Sequence, residues 1–152
     1  MNRRCTNDLA NLVNNDIPDT ISKVELNDNL YKPHYVFLKG PKDTPYENGE
    51  FKIGVQMPTE YPYKAPKMWF ETKVYHPNIS GDGTICIDIL KDQWSAALRL
   101  TTVFLSLSSL LANPNPNDPL VPEAANEFRT DREQYNRNVK AYVDRYATPI
   151  KQ

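Results

Sequence analysis

The chain has 152 residues, 39% hydrophobic and 24% charged, the size and make-up of one globular domain spanning 1–152, which excludes disordered and fibrous classes. With 18 basic residues against 19 acidic ones the net charge is −1, so the bulk attraction behind non-specific nucleic-acid binding is absent. No apolar run approaches the ~18–20 residues needed to cross a bilayer, and the amino terminus lacks a signal peptide's apolar centre, so the expected location is the cytoplasm, the nucleus or both.

Cys5, Leu9, Leu12 and Val13 recur at helical spacing with polar residues between them, which predicts a short amphipathic first helix with Cys5 in the core. Ile21 to Leu26 and Tyr35 to Leu38 read as strands. Phe51, Ile53, Val55 and Met57 alternate with Lys52, Gly54 and Gln56, the period of a half-buried strand, and Met68 to Phe70 make a short fourth one. His34 falls on a strand with no visible partner. The short, turn-rich links Asn27-Asp28-Asn29 and Gly40-Pro41 through Asn48-Gly49 favour an antiparallel meander.

From Tyr61 to Ser95 periodicity fades among Pro62, Pro66, Pro77, Gly81 and Gly83, and a long irregular stretch in a compact domain is usually functional. Thr102 to Ala112 carries Phe104, Leu107 and Leu111 on one face with more apolar residues beside them, as in a largely buried helix. The prolines of Asn113 to Pro119 prevent continuation of that helix and predict a second ordered loop. Thr130-Asp131-Arg132-Glu133 reads as a capping box opening a last helix that carries Tyr135, Val139, Tyr142, Val143 and Tyr146 on one face.

The chemistry concentrates in the first irregular stretch. His76-Pro77-Asn78 followed by Cys86 sets a thiol near an amide; a thiol takes up an acyl group as a thioester, and an amide N–H can stabilise the oxyanion of acyl transfer. Cys86 as acyl carrier competes with three plainer readings: a small buried hydrophobe, a nucleophile paired with His76 as base in a hydrolase, or His76 as a structural residue bonding the turn before Pro77. Asp88, Asp118 and Asn78 taken singly are ordinary turn or cap residues. The only two cysteines, Cys5 and Cys86, and two histidines, His34 and His76, show no metal-ligand spacing, so free thiols and no metal are expected.

The joint pattern is more specific. Tyr61-Pro62-Tyr63-Lys64-Ala65-Pro66, Tyr75-His76-Pro77-Asn78-Ile79, Gly83 through Leu90 around Cys86, Gln93-Trp94-Ser95, and Asn113-Pro114-Asn115-Pro116 through Pro122-Glu123-Ala124 together resemble the ubiquitin-conjugating enzymes, a resemblance that covers nearly the whole chain and weakens only in roughly the first thirty residues. The chain is similar to members consisting of the catalytic core alone. The resemblance implies an α+β fold with an N-terminal helix, a four-stranded antiparallel meander and three C-terminal helices. It implies a monomer with no bound cofactor, ATP being used by the upstream activating enzyme.

On this resemblance Cys86 accepts ubiquitin from the activating enzyme as a thioester and passes it to lysines of protein substrates with a RING-type or other ubiquitin ligase. Asn78 matches the residue credited with oxyanion stabilisation or loop ordering. Asp88 and Asp118 match acidic positions that orient and deprotonate the incoming lysine, with Asn115 on the same rim, and His76 and Pro77 match the structural part of the motif. Ile89, Leu98, Leu105 and Ser109 correspond to the surface for a folded-back ubiquitin. Arg3, Arg4, Tyr63, Ser95, Ala96 and Ala97 correspond to ligase and activating-enzyme contacts, so those two partners are expected to compete. Trp94-Ser95-Ala96-Ala97 replaces the usual Trp-Ser-Pro-Ala, and Tyr63 stands where phenylalanine is frequent. Both departures fall on the ligase-facing loops. A carrier of another ubiquitin-like modifier, and a non-catalytic ubiquitin-positioning partner, are the remaining readings.

Overall fold

The computed structural model describes residues 2–14 and 17–149; Met1 and 150–152, the ends of the expected 1–152 domain, lie outside them. A helix α1 (Arg3–Ala10) is followed by strands β1 (Ile21–Glu25), β2 (His34–Lys39), β3 (Glu50–Gln56) and β4 (Lys67–Phe70), a 3₁₀ turn (Asp88–Leu90), and helices α2 (Leu100–Ala112), α3 (Pro122–Thr130) and α4 (Arg132–Tyr146). The strands pair antiparallel in the order β1-β2-β3-β4, with Ile53 opposite Val36 on one side and Phe70 on the other. The meander and the three C-terminal helices are those the resemblance implies.

Alternation decides which face of the sheet is covered. Val36 and Leu38 of β2, Phe51, Ile53 and Val55 of β3, and Met68 and Phe70 of β4 point inward and are buried. Against them α2 lays Leu100, Val103, Phe104, Leu107 and Leu111, all 1% exposed or less. Each such side chain removed from water stabilises the fold by about 1.5–3 kcal/mol before entropy is counted. Cys5, Leu9 and Leu12 close the same core at one end and Tyr135, Val139 and Val143 of α4 at the other.

Three local expectations are corrected, and the weak signal of one helix is explained. Helix α1 stops at Ala10, so Val13 lies beyond it and is 56% exposed, whereas Leu12 remains buried in the following turn. His34 does have partners: its Nδ1 accepts from the Asn27 N–H at 2.9 Å and its Nε2 lies 2.9 Å from the Leu30 carbonyl, which pins the β1–β2 link. The helix after the proline loop, α3, left little periodic signal because its buried face is only Ala124 and Ala125, with Pro122 setting its first turn. Because α3 runs to Thr130, that hydroxyl bonds back to the Asn126 carbonyl, and the cap of α4 is Asp131, whose carboxylate accepts from the Gln134 N–H at 3.2 Å.

Candidate active site

The irregular stretch after β4 is held by long-range backbone bonds rather than by regular elements. The Phe70 N–H donates to the Gly83 carbonyl at 2.9 Å, fixing the loop before Cys86 to the edge of β4. Gly83 is required there: its φ is +93°, and a Cβ would sit 2.2 Å from the Phe70 oxygen. The Asp82 carboxylate accepts from the Ser80 hydroxyl and the Thr84 N–H, and these bonds, the hydroxyl's first, hold its pKa down to about 2.

His76 is fully buried and both ring nitrogens are used. Nε2 meets the Leu110 carbonyl of α2 at 2.7 Å and so carries the proton, and Nδ1 accepts from the Asn78 N–H at 3.0 Å. Burial lowers its pKa to about 4, with the Leu110 bond acting in the opposite direction. The imidazole is therefore neutral and committed to joining this loop to α2. Next to it, the Pro77 carbonyl accepts from the Leu120 and Val121 N–H groups at 2.8 and 3.0 Å.

Asn78, 1% exposed, clamps the proline loop on the other side. Its Nδ2 donates to the carbonyls of Asn115 (2.8 Å) and Asp118 (3.1 Å), and its Oδ1 accepts from the Asn115 N–H (2.8 Å). Both amide protons are engaged, leaving no donor over for an oxyanion in this arrangement. The Asn78 carbonyl in turn accepts from the Cys86 N–H at 2.9 Å, so one residue fixes both the thiol-bearing strand of the loop and the segment carrying Asp118. From α3, Arg129 adds bonds to the Pro116 carbonyl and the Asn117 side chain, both 2.8 Å.

Cys86 emerges half-buried between these segments. Its Sγ lies 3.4 Å from Oδ2 of Asp118 and 3.8 Å from Nζ of Lys91. Burial and then the Asp118 hydrogen bond raise the thiol's pKa, with Lys91 pulling the other way. Asp88, on the 3₁₀ turn, is exposed and makes no hydrogen bond to Cys86; its carbonyl instead closes the turn by accepting from the Lys91 and Gln93 N–H groups. Lys91 went unnoticed in the sequence because it is five residues from Cys86, a spacing no helix or strand periodicity brings together; the 3₁₀ turn does so.

The residues expected at partner surfaces separate into free and committed ones. Arg3 and Ser109 are exposed, Tyr63 is 82% exposed and Leu105 47%; Leu105 and Ser109 share the outer face of α2. Ile89 and Leu98 are half-buried, as is Ala96, between exposed Ser95 and Ala97. Arg4, in contrast, is tied inward: Nε meets Oδ2 of Asp8 at 2.7 Å and Nη2 meets the Leu98 carbonyl at 2.7 Å.

Asp8, expected from the helical spacing on the polar side of the first helix opposite the apolar stripe, is instead buried and is the hub of this face. It also accepts from the Tyr61 hydroxyl at 2.5 Å and from Arg99 at 3.1 Å, while Trp94 packs on Tyr61 and donates to the Pro62 carbonyl at 2.9 Å. Thus α1, the 61–63 loop and the 94–99 loop form one platform. A cavity of about 820 Å³ elsewhere, lined by Asp19, Lys39, Gly40, Asn48 and Glu50, includes none of these residues. Among the described residues no group of three or more His, Cys, Asp and Glu could hold a metal ion, and no helix is long and apolar enough to cross a membrane.

A family model described as ubiquitin-conjugating enzyme matches residues 4–143.

Proposed function

Because the chain belongs to the ubiquitin-conjugating enzyme family, a family of transferases working with ubiquitin, its activating enzyme and ligases, we propose that Cys86 is the residue that carries the modifier. The Cys86 thiolate attacks the carbonyl carbon of the thioester presented by the activating enzyme, a new C–S bond forms, and the donor thiol leaves. A lysine amine then attacks the Cys86 thioester, and the sulfur departs as the amide forms. This chain needs to bind no nucleotide, and the whole of 1–152 works as one catalytic domain.

The single observation that carries this reading is the half-exposed sulfur beside the Asp118 carboxylate, 3.4 Å away, with His76 buried and occupied elsewhere. Without a histidine base, water is poorly activated. A thiol whose pKa is raised is also a poorer leaving group, which favours holding the acyl group until an amine arrives. Lysine has a reference pKa near ~10.4 and attacks only when neutral, so Asp118, with Asp88 on the exposed flank, orients the amine and takes its proton. Asn78 acts by ordering the loop that holds Asp118. Arg3, Tyr63 and Ser95–Ala97 offer the surface for ligase and activating enzyme, and Ile89, Leu98, Leu105 and Ser109 that for a folded-back ubiquitin.

The test is a non-reducing gel of the protein with activating enzyme, ubiquitin and ATP. A reductant-sensitive adduct that is absent in Cys86→Ala is expected, and Cys86→Ser is expected to trap a reductant-resistant oxyester. No adduct with ubiquitin, but one with another ubiquitin-like protein and its own activating enzyme, would transfer the reading to that modifier; none with either would leave a non-catalytic role.

A further inference from the structure

The proline loop that carries Asp118 is anchored at both ends and crosses open solvent between them. Asn115 is tied to Asn78 at one end, and Leu120 and Val121 to the Pro77 carbonyl at the other, whereas Asn117 and Asp118 are exposed. Arg129 reaches this span from α3: a single guanidinium nitrogen, Nη2, donates to the Pro116 carbonyl and to Oδ1 of Asn117, both at 2.8 Å. Its helix is braced in turn, because Glu127 accepts from the Tyr75 hydroxyl at 2.5 Å and from the Asn138 amide of α4 at 2.9 and 3.1 Å. Asn78 holds the Asp118 backbone carbonyl, but where the carboxylate stands relative to Sγ, 3.4 Å away, depends also on the two residues before it. Arg129 is itself exposed, and bonds that water can replace add little to global stability; what they fix is a direction.

We propose that Arg129 is a positioning residue for lysine transfer, aiming the Asp118 carboxylate at the Cys86 sulfur by holding Pro116 and Asn117. This rests on the reading of Cys86 as the carrier and of Asp118 as the group that takes the amine's proton. The incoming lysine ammonium gives its proton to Asp118, the neutral amine attacks the thioester carbon, an N–C bond forms and the sulfur leaves as thiolate. Asp118 serves that step only while it stands beside the sulfur, and a displacement of about 1 Å is enough to slow such a step severalfold or more. Charging makes no such demand: the nucleophile is then Cys86 itself, and a more distant Asp118 removes an influence that raises the thiol's pKa. Arg129 therefore acts on delivery of the modifier and not on its loading.

The test charges the full chain with activating enzyme, ubiquitin and ATP, stops charging by chelating magnesium, and follows loss of the reductant-sensitive adduct to added free lysine. In Arg129→Ala, charging is expected at the parental rate and the unfolding midpoint near the parental one, while discharge slows roughly three- to tenfold. Arg129→Lys again places several donors on one nitrogen, so most of the discharge rate is expected to return. The Arg129→Ala deficit should narrow between about pH 7 and about pH 9, as more of the lysine becomes neutral without a carboxylate's help. It should vanish in an Asp118→Asn background, which has no carboxylate to aim. Parental discharge in Arg129→Ala, no recovery in Arg129→Lys, a deficit equal at every pH or undiminished beside Asp118→Asn, or charging that falls as far as discharge overturns this proposal while leaving Cys86 as the carrier. If no reductant-sensitive adduct forms on the parental chain, the carrier reading fails and the positioning role with it.

Discussion

The clamp around Asn78 and the hub around Asp8 both pin irregular loops with one buried polar side chain, yet they use different chemistry. Asn78 works through three neutral bonds, all to backbone groups of the 115–118 segment, so it specifies backbone positions whatever side chains that segment carries. Asp8 works through Arg4, Arg99 and Tyr61, all side chains, on an ionised group that must be compensated to remain buried. The neutral clamp sits beside the Cys86 thiol, and the ionic hub under the 61–63 and 94–99 loops. A small neutral amide can fix the geometry of the loop around Cys86 without adding a charge of its own beside the sulfur, whereas the hub, far from that sulfur, can use strong charged bonds.

The largest effect is expected from removing the hub's centre. Asp8→Ala leaves two arginines and the buried Tyr61 hydroxyl without their acceptor, and should cost about 3–4 kcal/mol in denaturant unfolding. Among molecules still folded, docking of the activating enzyme should suffer more than discharge of thioester already formed. If discharge falls first, the two knots are not separable and the contrast is wrong.

A second effect belongs to the Asn78 side of the molecule. The native His76 pKa of about 4 lies below the ordinary 6.5, so the unfolded chain binds the proton more strongly between those values. Stability contributed by neutral His76 should be full above pH 6.5 and decline by up to roughly 3 kcal/mol as pH falls towards 4. Equilibrium unfolding across that range checks it, and the part of the acid limb due to this residue should vanish in His76→Gln. A limb of unchanged size in that variant would locate the titration elsewhere.

Smaller in stability but sharper in function, Asn78→Ala should cost about 2 kcal/mol, since water reaches much of the exposed loop, while slowing single-turnover discharge about 10- to 100-fold through misplacement of Asp118. The discriminating observation is which step moves: Cys86 should still charge at a near-parental rate. Arg99→Ala is the least disruptive, because its side chain is 57% exposed; a loss below about 1 kcal/mol is expected in the same unfolding assay. A larger loss would mean that Asp8 depends on Arg99 as much as on the better-buried Arg4.

Much of this was legible in the residues. The period-2 run from Phe51 to Met57 gave β3, the apolar crowding of Thr102–Ala112 gave α2, and the spacing of His76, Asn78 and Cys86 marked the site. The 130–133 capping signal was displaced by one residue because Thr130 and Asp131 are both good caps, and only the extent of α3 decides between them. Arg4 looked like a free surface charge, since an (i, i+4) pair with Asp8 says nothing about Tyr61, Leu98 or Arg99 joining it.

What the sequence determines by itself is whatever depends on neighbours within a few residues: strand alternation, helix faces, the glycine that a φ of +93° demands at position 83, and a motif order pointing to thioester chemistry. What the tertiary structure alone decides is which polar groups are already spent. Asn78 meets partners 37 and 40 residues away, His76 one 34 away, and Asp8 ones 53 and 91 away. Each donor or acceptor forms few bonds, so whether an amide can serve an oxyanion, an imidazole act as base or an arginine reach a partner is settled only when the distant chain segments close on it.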